Sequence, residues 1–290
     1  MAQYMNIVDV HNHLGGWSPD AGQTLDELLS KASELNLNGV AISDHYDADA
    51  DCYPNGDPWV FDAKEYMDAF YDLRRLPSRR QPGDPPGFLI SVELGWTEAV
   101  TDELCALLRD NPFDYGILSV HYLDRCDPFY DKQAIYRESL ADTYTRVINV
   151  VADSAKAVPE ARIIGHYDFF SRYATENRSK MFYRQAPDAF DRLFRIMHEN
   201  GQILEINAGT IDSLMRNKGY SLKDALPDKD VLRRYRELGG RFLAFASDAH
   251  YNTQFGRLMR PTLAYAASLG FRDWAWFEAG ELRFTRLQTV

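Results

Sequence analysis

Seven short runs dominated by Val, Ile, Leu and Phe punctuate the chain: NIVDV (6–10), GVAIS (39–43), FLISVE (88–93), YGILSV (115–120), ARIIGH (161–166), QILEIN (202–207) and RFLAFAS (241–247). Nearly continuous apolar runs of this length are the pattern of parallel strands buried on both faces. Stretches of helical period lie between most of them. In the first, Thr24 and Glu27 form a capping-box pattern, Leu25, Leu28, Leu29, Ala32 and Leu35 form one apolar stripe, and Asn38-Gly39 ends it. Residues 62–76, 101–110, 132–157, 187–200 and 228–240 repeat the design. Such alternation predicts right-handed β-α-β units around a parallel sheet, and seven strands of it favour an α/β barrel. The tail WAWFEAGELRFTRL adds two short strands around Glu278-Ala279-Gly280, completing or covering the barrel.

Long connections fall at 46–61, 77–87, 122–131, 167–186 and 208–227. The second, PSRRQPGDPPG, follows a helix and reads as a surface loop. The other four follow strands, which in a barrel places them at the mouth, where ligands bind. With no repeat, low-complexity tract or linker in view, residues 1–290 are expected to form one domain.

A net charge of −11 argues against a broad basic surface for long nucleic acid. No run of about 18 uncharged apolar residues suggests a membrane span, and MAQYMNIVDV lacks the layout of a secretion signal. A soluble, cytoplasmic chain is expected. Cys52, Cys105 and Cys126 have no C-x-x-C spacing and read as free thiols of a reducing compartment.

The chemistry lies at the strand ends. His11 and His13 follow the first predicted strand, Asp44-His45 the second, and Glu93 ends the third. His121 follows the fourth, His166 ends the fifth, and the seventh runs into Asp248 and His250. A lone histidine beside a strand is ordinarily a hydrogen-bonded core residue. Six imidazoles and several carboxylates converging on one barrel mouth need a cation to balance them, and these are ordinary ligands for Zn, Mn or Fe. His198, near a helix C-terminus, serves as the contrast, with a local role facing solvent. There is no G-x-S-x-G elbow, Walker loop or G-x-G-x-x-G after a strand, and Cys126 lacks the C-x5-R loop of a cysteine phosphatase.

The ordered set His11-Asn12-His13, Asp44-His45, Glu93, Ser119-Val120-His121, Gly165-His166 and Ser247-Asp248-Ala249-His250 resembles the PHP (polymerase and histidinol phosphatase) superfamily of metal-dependent phosphoesterases across almost the whole chain. FDAKEYMDAFYDLRRL, SVHYLD, IIGHYDFFSRY and LEINAGT look most like its stand-alone histidinol-phosphatase branch. The resemblance implies a distorted seven-stranded β/α (TIM-like) barrel and three divalent metals. His11, His13, Glu93 and Asp248 would hold the first, Glu93 with His121 and His166 the second, and His45 with His250 the third. The branch usually offers another histidine in its first loop. Here that loop reads GGWSPDAG, and Asp20 is the natural substitute, shifting preference toward harder ions such as Mn.

The implied reaction is in-line hydrolysis of a phosphomonoester by a metal-activated water, with L-histidinol phosphate the implied substrate and histidine biosynthesis the implied setting. The resemblance puts Arg172 against the phosphate oxygens, with a surface ion pair the plainer alternative, and Arg257 is a second candidate. Asp168 would orient an imidazole or protonate the leaving alkoxide, and Asn207 would hydrogen-bond in the mouth. Asp47, Asp49, Asp51 and Asp57 would favour a cationic leaving group or simply be solvated. The alternatives are another small phosphomonoester or short nucleotide as substrate, or a non-catalytic metal-stabilised barrel. Metal identity and oligomeric state are not readable.

Overall fold

A computed structural model describes residues 7–176 and 178–286. Seven parallel strands, β1 (Val8–Asp9), β2 (Gly39–Tyr46), β3 (Gly87–Gly95), β4 (Tyr115–Ser119), β5 (Ile163–Ile164), β6 (Ile203–Asn207) and β7 (Phe242–Ala246), pair in chain order. The sheet closes on itself where Asp9 of β1 pairs with Phe245 of β7, so the expected barrel forms. Each predicted strand is present, β2 and β3 running longer than expected and the other five shorter; Asn6, at the start of the first, lies outside the described residues. β8 (Asp273–Glu278) adds to the outer edge of β7, and β9 (Glu281–Arg286) returns antiparallel to it, as the tail predicted.

The expected helices are α1 (Leu25–Glu34), α2 (Ala63–Phe70), α3 (Thr101–Asp110), α4 (Lys132–Ile135), α5 (Leu140–Ala157), α6 (Pro187–Asn200), then α9 (Lys229–Glu237). Thr24 and Glu27 form the reciprocal cap of α1. Three readings need correction. The stretch 132–157 is two helices, because Ser139 accepts from the Asp142 backbone and starts α5 afresh. The expected loop 208–227 is largely helical, α7 (Ala208–Lys218) and α8 (Leu222–Ala225), with Asn207 capping α7 through the Thr210 amide. A further helix, α10 (Met259–Ser268), follows the His250 turn, with Met259, Thr262, Leu263 and Ala266 buried.

Side chains of period two fill the barrel. One apolar cluster draws on every barrel strand, with Val8, Ala41, Leu89, Ile117, Ile163, Ile203 and Ala244 among its members. The larger cluster uses the alternate residues, such as Val40, Ile42, Phe88, Ile90, Leu204 and Phe245, against the helices. Along the inner face the residues change character toward the carboxyl ends: Ala41, Ser43, His45 on β2; Leu89, Ser91, Glu93 on β3; Ile203, Glu205, Asn207 on β6. The lower barrel is thus dry, and its top is a buried polar layer.

Candidate metal centre

Glu93 stands at the middle of that layer, opposite His45 in the β2–β3 register. Its Oε2 lies 3.2 Å from His11 Nε2, 3.5 Å from His13 Nε2 and 3.1 Å from His45 Nδ1. Its Oε1 lies 2.7 Å from His166 Nε2 and 3.2 Å from His121 Nε2. Asp248 Oδ1 is 3.4 Å from His13 Nε2 and 3.9 Å from His11 Nε2. At the outer edge Asp20 reaches His250 Nε2 at 3.0 Å and His45 Nε2 at 3.7 Å. All nine expected ligand residues are therefore brought together, Asp20 included. His198 is exposed on α6 and takes no part.

The donors fit cations on a structural ground. His11 Nε2, His13 Nε2, His45 Nδ1, Asp47 Oδ2 and Glu93 Oε2 are all buried, and among the described residues none has a hydrogen-bond partner. One such atom costs about 1–3 kcal/mol. Five in one layer, close together but misaligned for mutual hydrogen bonds, is the geometry of atoms aimed at something they share. Four ligand triads result: His11, His13 and Glu93; Glu93, His121 and His166; His13, His45 and His250; His45, Asp47 and His121.

The outer ring nitrogens are held in place. A carboxylate can only accept, so His11 Nδ1 donates to Glu205 Oε2 at 2.9 Å and His121 Nδ1 to Asp47 Oδ1 at 2.7 Å, leaving each Nε2 lone pair turned inward. Ser18 Oγ gives its proton to Asp44 and accepts from His13 Nδ1 at 3.1 Å. Asp47 sits where a Cβ on Gly95 would fall 1.7 Å from its Oδ1, so only glycine leaves it room. Asp248 holds a left-handed backbone, φ 49°, pinned by its N–H to the His11 carbonyl at 2.9 Å.

Electrostatics bind this layer together. Burial opposes charge on His45, but Glu93, Asp47 and Asp20 outweigh it and raise its pKa to about 9. His11 and His121 likewise rise, against burial, beside Glu93 with Glu205 and Asp47 respectively. His13 falls to about 3 through burial and its neighbours His250 and His45. Burial also resists ionisation of Glu93, yet His11, His45 and His121 hold it well below the usual carboxylate range. A cation entering here exchanges for ring protons.

Above lies a cavity of about 410 Å³ whose wall includes Tyr53, Trp59, Tyr122, Phe129 and Phe169 together with Asp127 and Arg172. Three of the four loops expected at the mouth contribute to it; the fourth, now α7, acts from behind. Arg172 Nε donates to Thr210 Oγ1 at 2.9 Å, and Nη2 donates to Asn207 Oδ1 at 2.9 Å and Asp248 Oδ2 at 3.0 Å. Phe169 lies beneath the guanidinium at 5.0 Å. Asn207 thus bonds in the mouth as expected, to protein groups: besides Arg172, its Nδ2 donates to Glu205 and Asp248.

Other residues stand elsewhere than expected. Arg257 does not line the cavity: it donates to the Ser247 and Asp248 carbonyls and to Asp212, bracing the Asp248 turn from behind. Asp168 makes no hydrogen bond to an imidazole among the described residues; burial raises its pKa against the pull of Arg172, and Thr210 is its neighbour. Of the loop acids, Asp47 is engaged by His45 and His121, Asp49 accepts from Thr97 at 2.6 Å, and Asp51 pairs with Arg125 at 2.8 Å. Asp57 is exposed, bonded to Asn55. Of these four only Asp47 lines the cavity, and the further acid on its wall beyond the ligand carboxylates, Asp127, belongs to the next loop. Cys126 stays off the cavity wall, its thiol pKa raised by burial and by Asp131 and Asp124. Glu205 escaped the sequence reading, although its signal was present: a glutamate inside QILEIN shares a face with Asn207.

Comparison with known proteins adds to this geometry. The PHP domain family model matches residues 9–209. The chain is 25% identical over 267 residues to a probable histidinol-phosphatase of Clostridium acetobutylicum, spanning 92% of this chain and 95% of that protein. It is 22% identical to the histidinol-phosphatase of Lactococcus lactis subsp. lactis, spanning 94% and 95%. The crystal structure of histidinol phosphate phosphatase from that organism, complexed with zinc, L-histidinol and phosphate, matches with a TM-score of 0.79 at 19% identity, over 96% of this chain and 98% of that one.

Proposed function

The chain belongs to the PHP domain family, and from that premise we propose that it is a metal-dependent phosphomonoesterase, residues 1–290 acting as one domain, that cleaves L-histidinol phosphate to L-histidinol and phosphate in histidine biosynthesis. The observation that carries this reading is the layer of unpartnered buried His, Asp and Glu atoms lying directly beneath a cavity that offers Arg172 and, beyond the layer's own carboxylates, Asp127. The names of the relatives and the zinc, histidinol and phosphate of the solved neighbour support the substrate.

His11, His13, Glu93 and Asp248 hold one divalent ion, Glu93, His121 and His166 a second, and His45, His250 and Asp20 a third, with Zn, Mn and Fe all suited to the nitrogen and oxygen donors. When bound, such ions supply an activated water and positive charge against the phosphoryl oxygens. Arg172 orients the phosphate: its Nε and Nη2 are taken by protein groups, and Nη1 makes none of those bonds. Trp59, Tyr122 and Phe169 exclude water and offer flat faces to an imidazole. Asp127 meets the ammonium; its Oδ1 accepts from the Phe129 amide at 2.6 Å, leaving Oδ2 for the ligand.

Phosphate release from metal-loaded protein tests this reading, with histidinol phosphate, glycerol phosphate, nucleoside monophosphates and phosphotyrosine as substrates. Histidinol phosphate should lead in kcat/KM, and Asp127→Asn should raise its KM about tenfold while moving glycerol phosphate by less than about twofold. Faster turnover of another ester would overturn the substrate, and no release from any of them would leave a non-catalytic barrel. Separately, Glu205→Gln removes the charge that orients His11 and should weaken metal retention by about 10–100-fold in chelator competition. Wild-type retention would show that His11 needs no such partner.

A further inference from the structure

Cations on this acidic chain are commonly neutralised where they stand. Around the α5–α6 and α7 surfaces Arg192 lies on Asp153, Arg195 and Arg234 on Asp191, and Arg216 on Asp212. A shallow depression beside β8 holds such pairs too, with Arg241 and Arg286 both on Asp273.

A second large cavity departs from that pattern. About 830 Å³ in volume, it lies between residues 178–185 and the turn joining α7 to α8, and Arg178, Lys180, Arg184, Lys218 and Lys223 line it. Two carboxylates, Glu176 and Asp224, share the wall. Asp224 is occupied in capping α8, its Oδ2 accepting from Ser221 Oγ at 2.6 Å. Among the described residues, none of the five cations forms an ion pair with a carboxylate.

Backbone carbonyls fix two of the lysines in position without cancelling their charge. Lys180 Nζ donates to the Asp224 carbonyl at 2.9 Å, and Lys218 Nζ donates to the Ala174 carbonyl. The Lys180 amide donates to Tyr220 OH at 3.0 Å, fixing the strand of chain that carries it. Phe182 forms an apolar plate with Arg184 at 4.6 Å and Lys180 at 5.5 Å from its ring centre. Burial lowers the pKa of Lys180, outweighing the pull of Asp228, Asp168 and Asp224, and lowers that of Lys218, where Lys132 adds to the effect. Like charges gathered in one concavity repel one another and focus a field that attracts anions.

We propose that this cavity binds a small organic anion carrying two or more phosphate groups. Several cations of two kinds suit that class: arginine forks grip phosphate oxygens bidentately, lysines act as point charges, and the Phe182 and Tyr220 rings offer apolar faces to the organic part. The volume suits a ligand of nucleotide size. No residue of this cavity lines the one above the candidate metal centre, so the binding is separate from the proposed phosphatase reaction and stands or falls without it.

The test uses metal-loaded, full-length protein and pyranine, a fluorescent trisulfonate, as the probe at low salt. Polarisation should rise saturably with protein, and the charge reversal R184E/K223E, at two exposed positions remote from the metal centre, should weaken binding about tenfold or more. ATP should displace the probe at concentrations where inorganic phosphate does not, and Arg172→Ala should leave its affinity within about twofold, since that arginine belongs to the other cavity. No saturable rise, affinity unchanged by R184E/K223E, affinity lost in Arg172→Ala, or displacement by single-stranded RNA but not ATP would each overturn the proposal.

Discussion

Glu93→Gln should leave a folded barrel that retains fewer metal ions and releases phosphate from histidinol phosphate about a thousandfold more slowly, or worse. The substitution keeps the shape of the side chain and removes only its charge. That charge touches five imidazoles, His11, His13 and His45 at one oxygen, His121 and His166 at the other. A neutral amide presents a donor to one side of this arrangement, and a protonated or metal-directed imidazole there meets an N–H instead of a lone pair. Two of the three proposed ion positions include Glu93, so both weaken together. Metal content by mass spectrometry, far-ultraviolet circular dichroism and phosphate release on the same preparation decide the matter. A folded Glu93→Gln protein with its full metal complement and wild-type turnover would remove Glu93 from the centre.

The imidazoles were legible in the sequence for a reason that the carboxylates only partly share. A histidine at the carboxyl end of an apolar run is conspicuous, and barrel topology converts seven separate strand ends into one place. Glu205 stands within β6 and Asp47 just past β2, and a lone acid within QILEIN or a first acid of YDADAD looks like any solvated carboxylate until the pleat shows which face it takes. Asp47 reads like its neighbours Asp49 and Asp51, although it alone of the three contacts the imidazoles of the layer. The helix α7 was hidden by its start, Asn207-Ala208-Gly209, where an asparagine cap and a glycine read equally well as a loop. Arg257 was misplaced because sequence distance from His250 carries no direction; it supports the Asp248 backbone from the side opposite the cavity.

These corrections share one physical theme. The residues that hold the centre's ligands are buried, Glu205 and Asn207 on β6, Asp47 just after β2 and Ser18 in the first loop, whereas the cavity's aromatic wall comes from the loops after β2, β4 and β5. Glu205 and Asn207 tie β6 to His11, to Arg172 and to Asp248 in a single hydrogen-bonded layer. In the proposed reaction the barrel layer would set the chemistry at phosphorus, and Asp127 with the rings around it the preference for a leaving group.

That division makes Arg172→Lys the sharpest separation of the two. The guanidinium links β6, α7 and the Asp248 turn through Asn207, Thr210 and Asp248 while lying over Phe169. An ammonium has no planar fork: it cannot hold these partners and also present a nitrogen to phosphate along a fixed direction. The change should lower kcat/KM for histidinol phosphate by about 10²–10³ with metal content unchanged, because Asp248 Oδ1, the oxygen nearest the imidazoles, is not the one Arg172 contacts. Glycerol phosphate should suffer by the same factor, since Arg172 serves the phosphoryl group common to both esters. A loss confined to histidinol phosphate would assign Arg172 to the leaving group, and a loss of metals alongside activity would make it a brace for Asp248 alone.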